Sequence, residues 1–173
     1  IAVLATLVSE AALHGSATTV VATAVFGASL VLVYVASTVY HAMPASLTRA
    51  KAVLQIFDHV AIHLLIAGTV TPLALCAIGG AWGWLIFGLS WTVATVGILV
   101  ETTSLRHSAR LSLALYLGAG WSGVVALPLL WSTLPPGALP LIALGGIAYT
   151  AGVPFFLAQE TRFAHALWHG FVL

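Results

Sequence analysis

Long apolar runs alternate along the chain with short stretches that hold proline, glycine or charged residues. A helix needs about 20 apolar residues to cross the hydrocarbon core of a bilayer. The runs predict seven helices, of which the first and the last are too short to cross and are expected to be truncated. The predicted ranges are 1–13, 18–42, 51–77, 82–101, 110–131, 137–158 and 163–173.

Prolines fix the ends of several predicted helices. Pro44 lies in one linker, and the neighbouring pair Pro135-Pro136 lies in another. A helix interior cannot continue through them, because proline lacks a backbone N–H and its ring clashes with the preceding turn. Other prolines fall inside predicted helices, where membrane helices tolerate kinks if neighbouring groups satisfy the freed carbonyls. No second domain and no internal repeat is recognisable, so one membrane domain over residues 1–173 is expected.

The composition indicates an integral membrane protein. The chain is 61% hydrophobic and 5% charged, and a soluble domain could not cover its surface with so few charges. It has no basic patch with interleaved aromatic residues, so nucleic acid is not an expected partner. The single cysteine, Cys76, excludes an internal disulfide. The predicted fold class is an all-α, multi-pass membrane protein. The abundance of alanine, glycine and leucine is typical of proteins of the bacterial cell membrane.

The positions of the basic residues predict the orientation in the membrane. They occur only in or beside alternate linkers, at Arg49, Lys51, Arg106, Arg110 and Arg162. The positive-inside rule places those linkers in the cytoplasm, so the N-terminus is expected in the cytoplasm and the C-terminus outside. Trp82, Trp84 and Trp131 fall at the opposite boundary, as expected of an interfacial aromatic belt.

Histidines inside the predicted helices are the main candidates for chemistry. His165 and His169 are four residues apart, so they share one face of a helix, and polar groups inside a bilayer are costly unless they have a partner. His41 and Asp58 lie at a similar depth, within roughly 10 Å of the cytoplasmic boundary. Three imidazoles and one open position are the ligand set of a hydrolytic zinc site.

Asp58 and Ser37 are predicted to assist that site. Asp58 is the only aspartate of the chain, and a carboxylate in a membrane helix needs a cation, a donor or a metal-bound water. It is expected to hold and deprotonate the water on the metal. Ser37, one turn before His41, is expected to hydrogen-bond that water or to orient the ligand.

The remaining ionisable residues of the helices allow more than one interpretation. A single histidine in a membrane helix more often bonds to a neighbouring helix than to a metal. His59 and His63 form a second pair four residues apart, on a different face from Asp58. Packing or hydrogen bonding to a neighbouring helix is the favoured interpretation for them, and a second metal is the alternative. Glu101 and Glu160 are expected to be solvated carboxylates at helix ends.

Four segments of the chain resemble bacterial haemolysin III proteins. The segments are Ser37-Thr-Val-Tyr-His41, Phe57-Asp-His-Val-Ala-Ile62, Ile66-Ala-Gly-Thr-Val-Thr-Pro72 and His165-Ala-Leu-Trp-His-Gly-Phe-Val-Leu173. That family is grouped with the progestin and adiponectin receptors and, more distantly, with the alkaline ceramidases. The resemblance covers nearly the whole chain and implies seven helices with a cytoplasmic N-terminus.

The resemblance also implies a ligand set. Zinc would be held by His41, His165 and His169, and Asp58 would contact it through water with Ser37 beside it. Two features depart from the family pattern. The acidic segment before the first helix is absent, and His63 stands where an aromatic residue such as tyrosine is expected.

The predicted function is that of a zinc-dependent membrane hydrolase. Its partner would be a membrane lipid, whose amide or ester is cleaved near the cytoplasmic leaflet, as in the hydrolysis of ceramide-like amides that the resemblance implies. The alternative is a non-enzymatic lytic or receptor-like membrane protein with a structural zinc. Four protein ligands close a structural zinc site, whereas a catalytic site keeps one position for water.

Overall fold

The computed structural model describes residues 2–158 and 161–172, and helices make up most of that length. The α-helices are α1 (Ala2–His14), α2 (Ala17–Ala42), α3 (Thr48–Pro72), α4 (Gly80–Glu101), α5 (Ala109–Trp121), α6 (Leu127–Thr133), α7 (Ala138–Leu157) and α8 (Ala164–Val172). Within the described residues there is no β-strand. The predicted all-α fold class is confirmed.

A serine cap, a proline and a glycine set three boundaries between helical segments. The hydroxyl of Ser16 accepts the N–H of Thr19 at 3.2 Å and so caps the start of α2, where the first backbone donors have no partner in the helix. After Pro72 the chain changes to a π-helical segment, Leu73–Ile78, because the proline supplies no backbone donor. Gly79 ends that segment with a φ of 66°, a conformation that glycine adopts without strain.

Four helical segments are long and apolar enough to cross a membrane. They are Ala17–Ala42, Thr48–Ile78, Gly80–Glu101 and Ala138–Leu157. A fifth span is obtained if residues 110–133 are counted as one broken span. The helices α1 and α8 contain 13 and 9 residues, fewer than a span needs. The count of seven spans and the orientation of the termini therefore stay predictions.

The predicted fifth helix is divided in the structure. It consists of α5, a 3₁₀ segment over Ser122–Ala126, and the short α6. Pro128 is the second residue of α6, and proline is tolerated in the first turn of a helix but not in its interior. A continuous helix over 110–131 would place this residue in the interior, so the break before α6 has a local cause.

The chain divides into two compact units, Ile1–Ala126 and Leu127–Leu173. In the first unit, α2 packs against α1 and α3, and α4 packs against α3 and α5. Small residues allow these helices to approach closely, as is usual in membrane proteins. A Cβ atom at Gly68 of α3, for example, would overlap with Ser29 of α2. The prediction of a single membrane domain is not tested by this division.

The second unit is held together by aromatic side chains of α7 and α8. The ring of Trp168 lies 5.3 Å from the ring of Tyr149 and 5.1 Å from that of Phe156. Phe155 and Phe171 stack with their centroids 5.4 Å apart. These contacts bury one face of α8 against α7 and thereby fix the rotation of α8 about its axis.

Candidate metal centre

His165 and His169 point their ring nitrogens at each other. Their Nε2 atoms are 3.0 Å apart, and their ring centroids are 4.7 Å apart with the rings nearly perpendicular. Both side chains are partly buried. The pair predicted from the four-residue spacing is therefore brought together on one face of α8.

The buried face of α8 explains why this pair stays together. Ala164 and Trp168 are the buried residues of α8, and each lies one position before a histidine of the pair. Adjacent helical residues are about 100° apart around the axis, so the histidines occupy the face next to the one that packs on α7. Gly152 of α7 makes the contact close, because a Cβ there would lie 2.8 Å from Cβ of Phe171 and 3.0 Å from Cε3 of Trp168.

The geometry of the pair fits two ligands of a zinc ion. Two imidazole nitrogens bound to one tetrahedral zinc lie about 3.3 Å apart, close to the 3.0 Å observed between the Nε2 atoms. Neutral imidazole is also among the commonest zinc ligands. A small rotation of either ring reaches the ligand distance, so the pair needs no change of backbone to hold the ion.

His41 lies at the end of α2, in the first unit, and its side chain is exposed. Its ring packs edge-on against the ring of Tyr40, with centroids 4.7 Å apart. Lys51 of α3 lies 5.3 Å from the Tyr40 ring and donates a hydrogen bond of 3.0 Å to the carbonyl of Met43. These contacts fix the linker between α2 and α3 next to the predicted ligand.

Asp58 and Ser37 are both partly buried in the first unit. Asp58 of α3 lies near Tyr40, the residue that precedes His41 in α2. Ser37 lies one turn before His41 in the same helix. Their predicted roles beside a metal are not tested by these positions.

His59 and His63 both contact residues of neighbouring helices, His59 through a hydrogen bond and His63 through ring packing. Nδ1 of His59 lies 3.1 Å from Oε2 of Glu101, which confirms a hydrogen bond to a neighbouring helix. His63 is 1% exposed and stacks on Tyr116 with ring centroids 4.6 Å apart. A Cβ atom at Gly97 would overlap with the His63 imidazole, so α4 carries a glycine where this ring needs room. Among the described residues, neither ring nitrogen of His63 has a hydrogen-bond partner.

The expectation that Glu101 is a solvated carboxylate is wrong. The residue is 1% exposed, and its two oxygens accept hydrogen bonds from Nδ1 of His59 and from the hydroxyl of Tyr116, at 3.1 and 3.2 Å. Burying a carboxylate is costly unless donors replace water, and both donors come from other helices. Glu160, for which the same expectation was made, lies outside the described residues.

A signal for the burial of Glu101 was present in the sequence. The expectation of a solvated carboxylate came from the position of Glu101, which ends α4 close to Arg106, because helix ends beside basic linkers are commonly solvated. His59 and Tyr116, however, are polar residues within two other predicted spans, and polar groups there need partners. Matching these donors to the acid required knowledge of which helices are neighbours.

Comparisons with known proteins identify the family of the chain. Over residues 1–173 the chain matches the sequence profile of a family described as Haemolysin-III related. It is 38% identical over 167 residues to hemolysin-3 of Bacillus cereus, which covers 96% of this chain and 75% of that protein. It is 37% identical to the hemolysin-3 homolog of Bacillus subtilis (strain 168), covering 96% of this chain and 78% of that protein.

A more distant similarity extends to mammals. The human monocyte to macrophage differentiation factor is 28% identical over 156 residues, which cover 86% of this chain and 63% of that protein. No solved structure matches the chain.

Proposed function

The chain belongs to the haemolysin III family of integral membrane proteins, and we propose that it is a zinc-dependent membrane hydrolase. The observation that carries this proposal is the convergence of the Nε2 atoms of His165 and His169, 3.0 Å apart in α8. Two imidazoles aimed at one point in a segment without other ionisable side chains are expensive for a membrane protein unless they bind something.

His41 is the third ligand in this proposal. It ends the segment Ser37-Thr-Val-Tyr-His41, which is one of the segments that resemble haemolysin III proteins. Three histidines leave the fourth tetrahedral position open, as catalytic zinc sites do. When bound, zinc supplies a Lewis acid that polarises a carbonyl and activates water.

The roles of the nearby polar residues follow from their chemistry. Asp58 makes no hydrogen bond and no ion pair with the other described residues. Its oxygens therefore remain available to water. Asp58 accepts the proton of the attacking water and returns it to the leaving group. Ser37 donates a hydrogen bond that orients the water or the His41 ring.

The substrate is a membrane lipid with an amide or an ester. Helices that are apolar enough to cross a membrane bring the protein into contact with lipid, and the candidate ligands adjoin the linkers that carry the basic residues. The positive-inside rule puts these linkers in the cytoplasm. Hydrolysis is therefore proposed at the cytoplasmic leaflet.

The metal content of the purified protein tests the proposal directly. We expect about one zinc per chain, and a large loss of zinc in His169→Ala, because removing one of three ligands removes most of the affinity. His14→Ala is the matched control, since its imidazole is exposed and lies 3.7 Å from the carboxylate of Glu10 on α1. Full zinc occupancy in His169→Ala would exclude the ligand set, and loss of zinc in His59→Ala would move the site to α3.

A second candidate function is membrane lysis with a structural zinc. The names of the two Bacillus relatives, hemolysin-3 and hemolysin-3 homolog, favour it. Vesicles loaded with a fluorescent dye separate the two candidates. A hydrolase releases fatty acid in a reaction that requires Asp58, whereas a lytic protein releases the dye whether or not lipid is cleaved.

A further inference from the structure

A buried polar cluster in the first unit lies apart from the candidate zinc ligands. Its centre is the carboxylate of Glu101, which is 1% exposed. Oε2 accepts from Nδ1 of His59 at 3.1 Å, and Oε1 accepts from the hydroxyl of Tyr116 at 3.2 Å. The same hydroxyl lies 3.5 Å from the backbone carbonyl of His59. Both oxygens of the carboxylate are thus engaged by side chains of α3 and α5.

A cavity of about 230 Å³ opens beside this cluster. Its walls are formed by side chains of α3, the end of α4 and the 3₁₀ segment Ser104–His107. The lining residues are Gln55, Ile56, His59, Glu101 and Arg106. Four of these five side chains carry hydrogen-bonding groups, which is an unusual lining for a cavity in a protein that is 61% hydrophobic.

The groups left for a ligand are mainly donors. Each of the two oxygens of Glu101 already accepts a hydrogen bond from a side chain of another helix. His59 donates its Nδ1 hydrogen to Glu101, so Nε2 of the neutral ring is an acceptor and not one of the donors. Arg106 adds a guanidinium, and the amide of Gln55 adds two further donors. Among the described residues, Arg106 takes part in no ion pair within 4.0 Å, although the carboxylate of Glu101 lines the same cavity.

We infer that this cavity is a binding site for an oxyanion, a phosphate or a carboxylate, held by the guanidinium of Arg106 and the amide of Gln55. Guanidinium matches the planar, two-oxygen face of these anions and binds them through paired hydrogen bonds. Glu101 acts behind the site, where it fixes the His59 ring in the cavity wall through Nδ1. The site uses none of the three candidate zinc ligands, so it is independent of the proposed hydrolysis.

Charge at the cavity favours an anion over a cation. The guanidinium of Arg106 is a positive charge at the cavity, whereas each oxygen of the Glu101 carboxylate already accepts a hydrogen bond. A metal ion or an amine would meet that guanidinium and a carboxylate whose oxygens already have donors. The same oxyanion chemistry is found on free phosphate and on the headgroup of an anionic lipid.

Titration calorimetry of the chain of residues 1–173 in nanodiscs of phosphatidylcholine tests the site. Inorganic phosphate and acetate are the probes, and saturable binding to the native chain is expected. Arg106→Gln should weaken it by about tenfold or more, the effect of losing one charge-assisted hydrogen bond. Arg110→Gln is the matched control, because Arg110 is exposed, lies four residues away and does not line the cavity. Thermal unfolding checks that both variants stay folded.

Two results would overturn the inference. One is the absence of saturable binding of both anions to the native chain at millimolar concentration, and the other is equal affinity in the native chain and Arg106→Gln. Nanodiscs that contain phosphatidic acid identify the source of the oxyanion. If lipid headgroups occupy the site, these nanodiscs weaken the binding of free phosphate in the native chain but not in Arg106→Gln. Unchanged binding of phosphate assigns the site to a free anion.

Discussion

Nδ1 of His59 lies 3.1 Å from Oε2 of Glu101, and this hydrogen bond joins residues separated by 42 positions in the chain. It connects the middle of α3 to the last residue of α4. Tyr116 adds a third helix to the contact, because its hydroxyl donates to the other oxygen of Glu101 at 3.2 Å. Three helices of the first unit therefore meet at one buried carboxylate.

Replacing Glu101 should destabilise the first unit. Glu101→Ala leaves the donors of His59 and Tyr116 without their acceptor, and leaving a buried donor unsatisfied costs about 1–3 kcal/mol. Glu101→Gln keeps one acceptor oxygen and should cost less. Glu10→Ala is the control, since the side chain of Glu10 is 64% exposed. The free energy of unfolding in detergent measures all three, and equal stability of Glu101→Ala and Glu10→Ala would contradict the structural role.

The close contact of α3 with α4 depends on the absence of a side chain at Gly97. Gly97→Ala introduces a Cβ that overlaps with the ring of His63, and overpacking of a filled interior costs about 1–3 kcal/mol. Gly88→Ala in the same helix meets nothing within 4 Å and should be neutral or slightly stabilising, since alanine favours helix. Thermal unfolding of both variants measures the difference. Similar melting temperatures would show that α3 and α4 are not in close contact at Gly97.

Zinc binding should respond to the contact between α7 and α8. Gly152→Ala places a Cβ 2.8 Å from Cβ of Phe171, which forces α8 away from α7 and moves the His165–His169 pair. The affinity for zinc should fall by about tenfold, as it does when the supports of metal ligands are disturbed. The control is Gly145→Ala, whose added Cβ has no neighbour within 4 Å. Competition with a chelator gives both affinities, and equal values would separate zinc binding from this helix contact.

The orientation in the membrane can be tested with single cysteines. The side chains of Thr103 and Thr133 are exposed, and they flank the predicted fifth helix. In a Cys76→Ser background, Thr103→Cys should react only from the cytoplasmic side and Thr133→Cys only from the outside, as the positive-inside rule predicts. Reaction of both from the same side would refute the seven-helix count.

The role of Asp58 is separable from metal binding. Asp58→Asn keeps the shape of the side chain and removes its charge and basicity, so zinc content should change little at saturating metal. Lipid hydrolysis should fall by roughly two to four orders of magnitude, the usual contribution of a general acid–base group. Zinc content and fatty-acid release are measured on the same preparation. A variant with both at native levels would favour the structural zinc.

The sequence determined the helical fold class and the limits of most helices. Apolar length and proline position are local properties, and the predicted ranges 18–42 and 82–101 differ little from α2 and α4. The spacing of His165 and His169 was equally decisive, because residues four apart on a helix meet without help from the rest of the chain. The exception among the helices is the segment 110–131, where the local effect of Pro128 divided a run that hydrophobicity alone describes as continuous.

The tertiary structure decided which polar groups share a partner. Glu101 looked solvated because only its linker neighbours can be read from the sequence, while its donors come from α3 and α5. The same holds for Gly97, whose lack of a side chain has meaning only beside His63. A helix presents its faces according to its own sequence, but the helix that covers each face is chosen by packing over the whole unit. The burial of Glu101 and the polar cavity beside it therefore follow from contacts that no local pattern specifies.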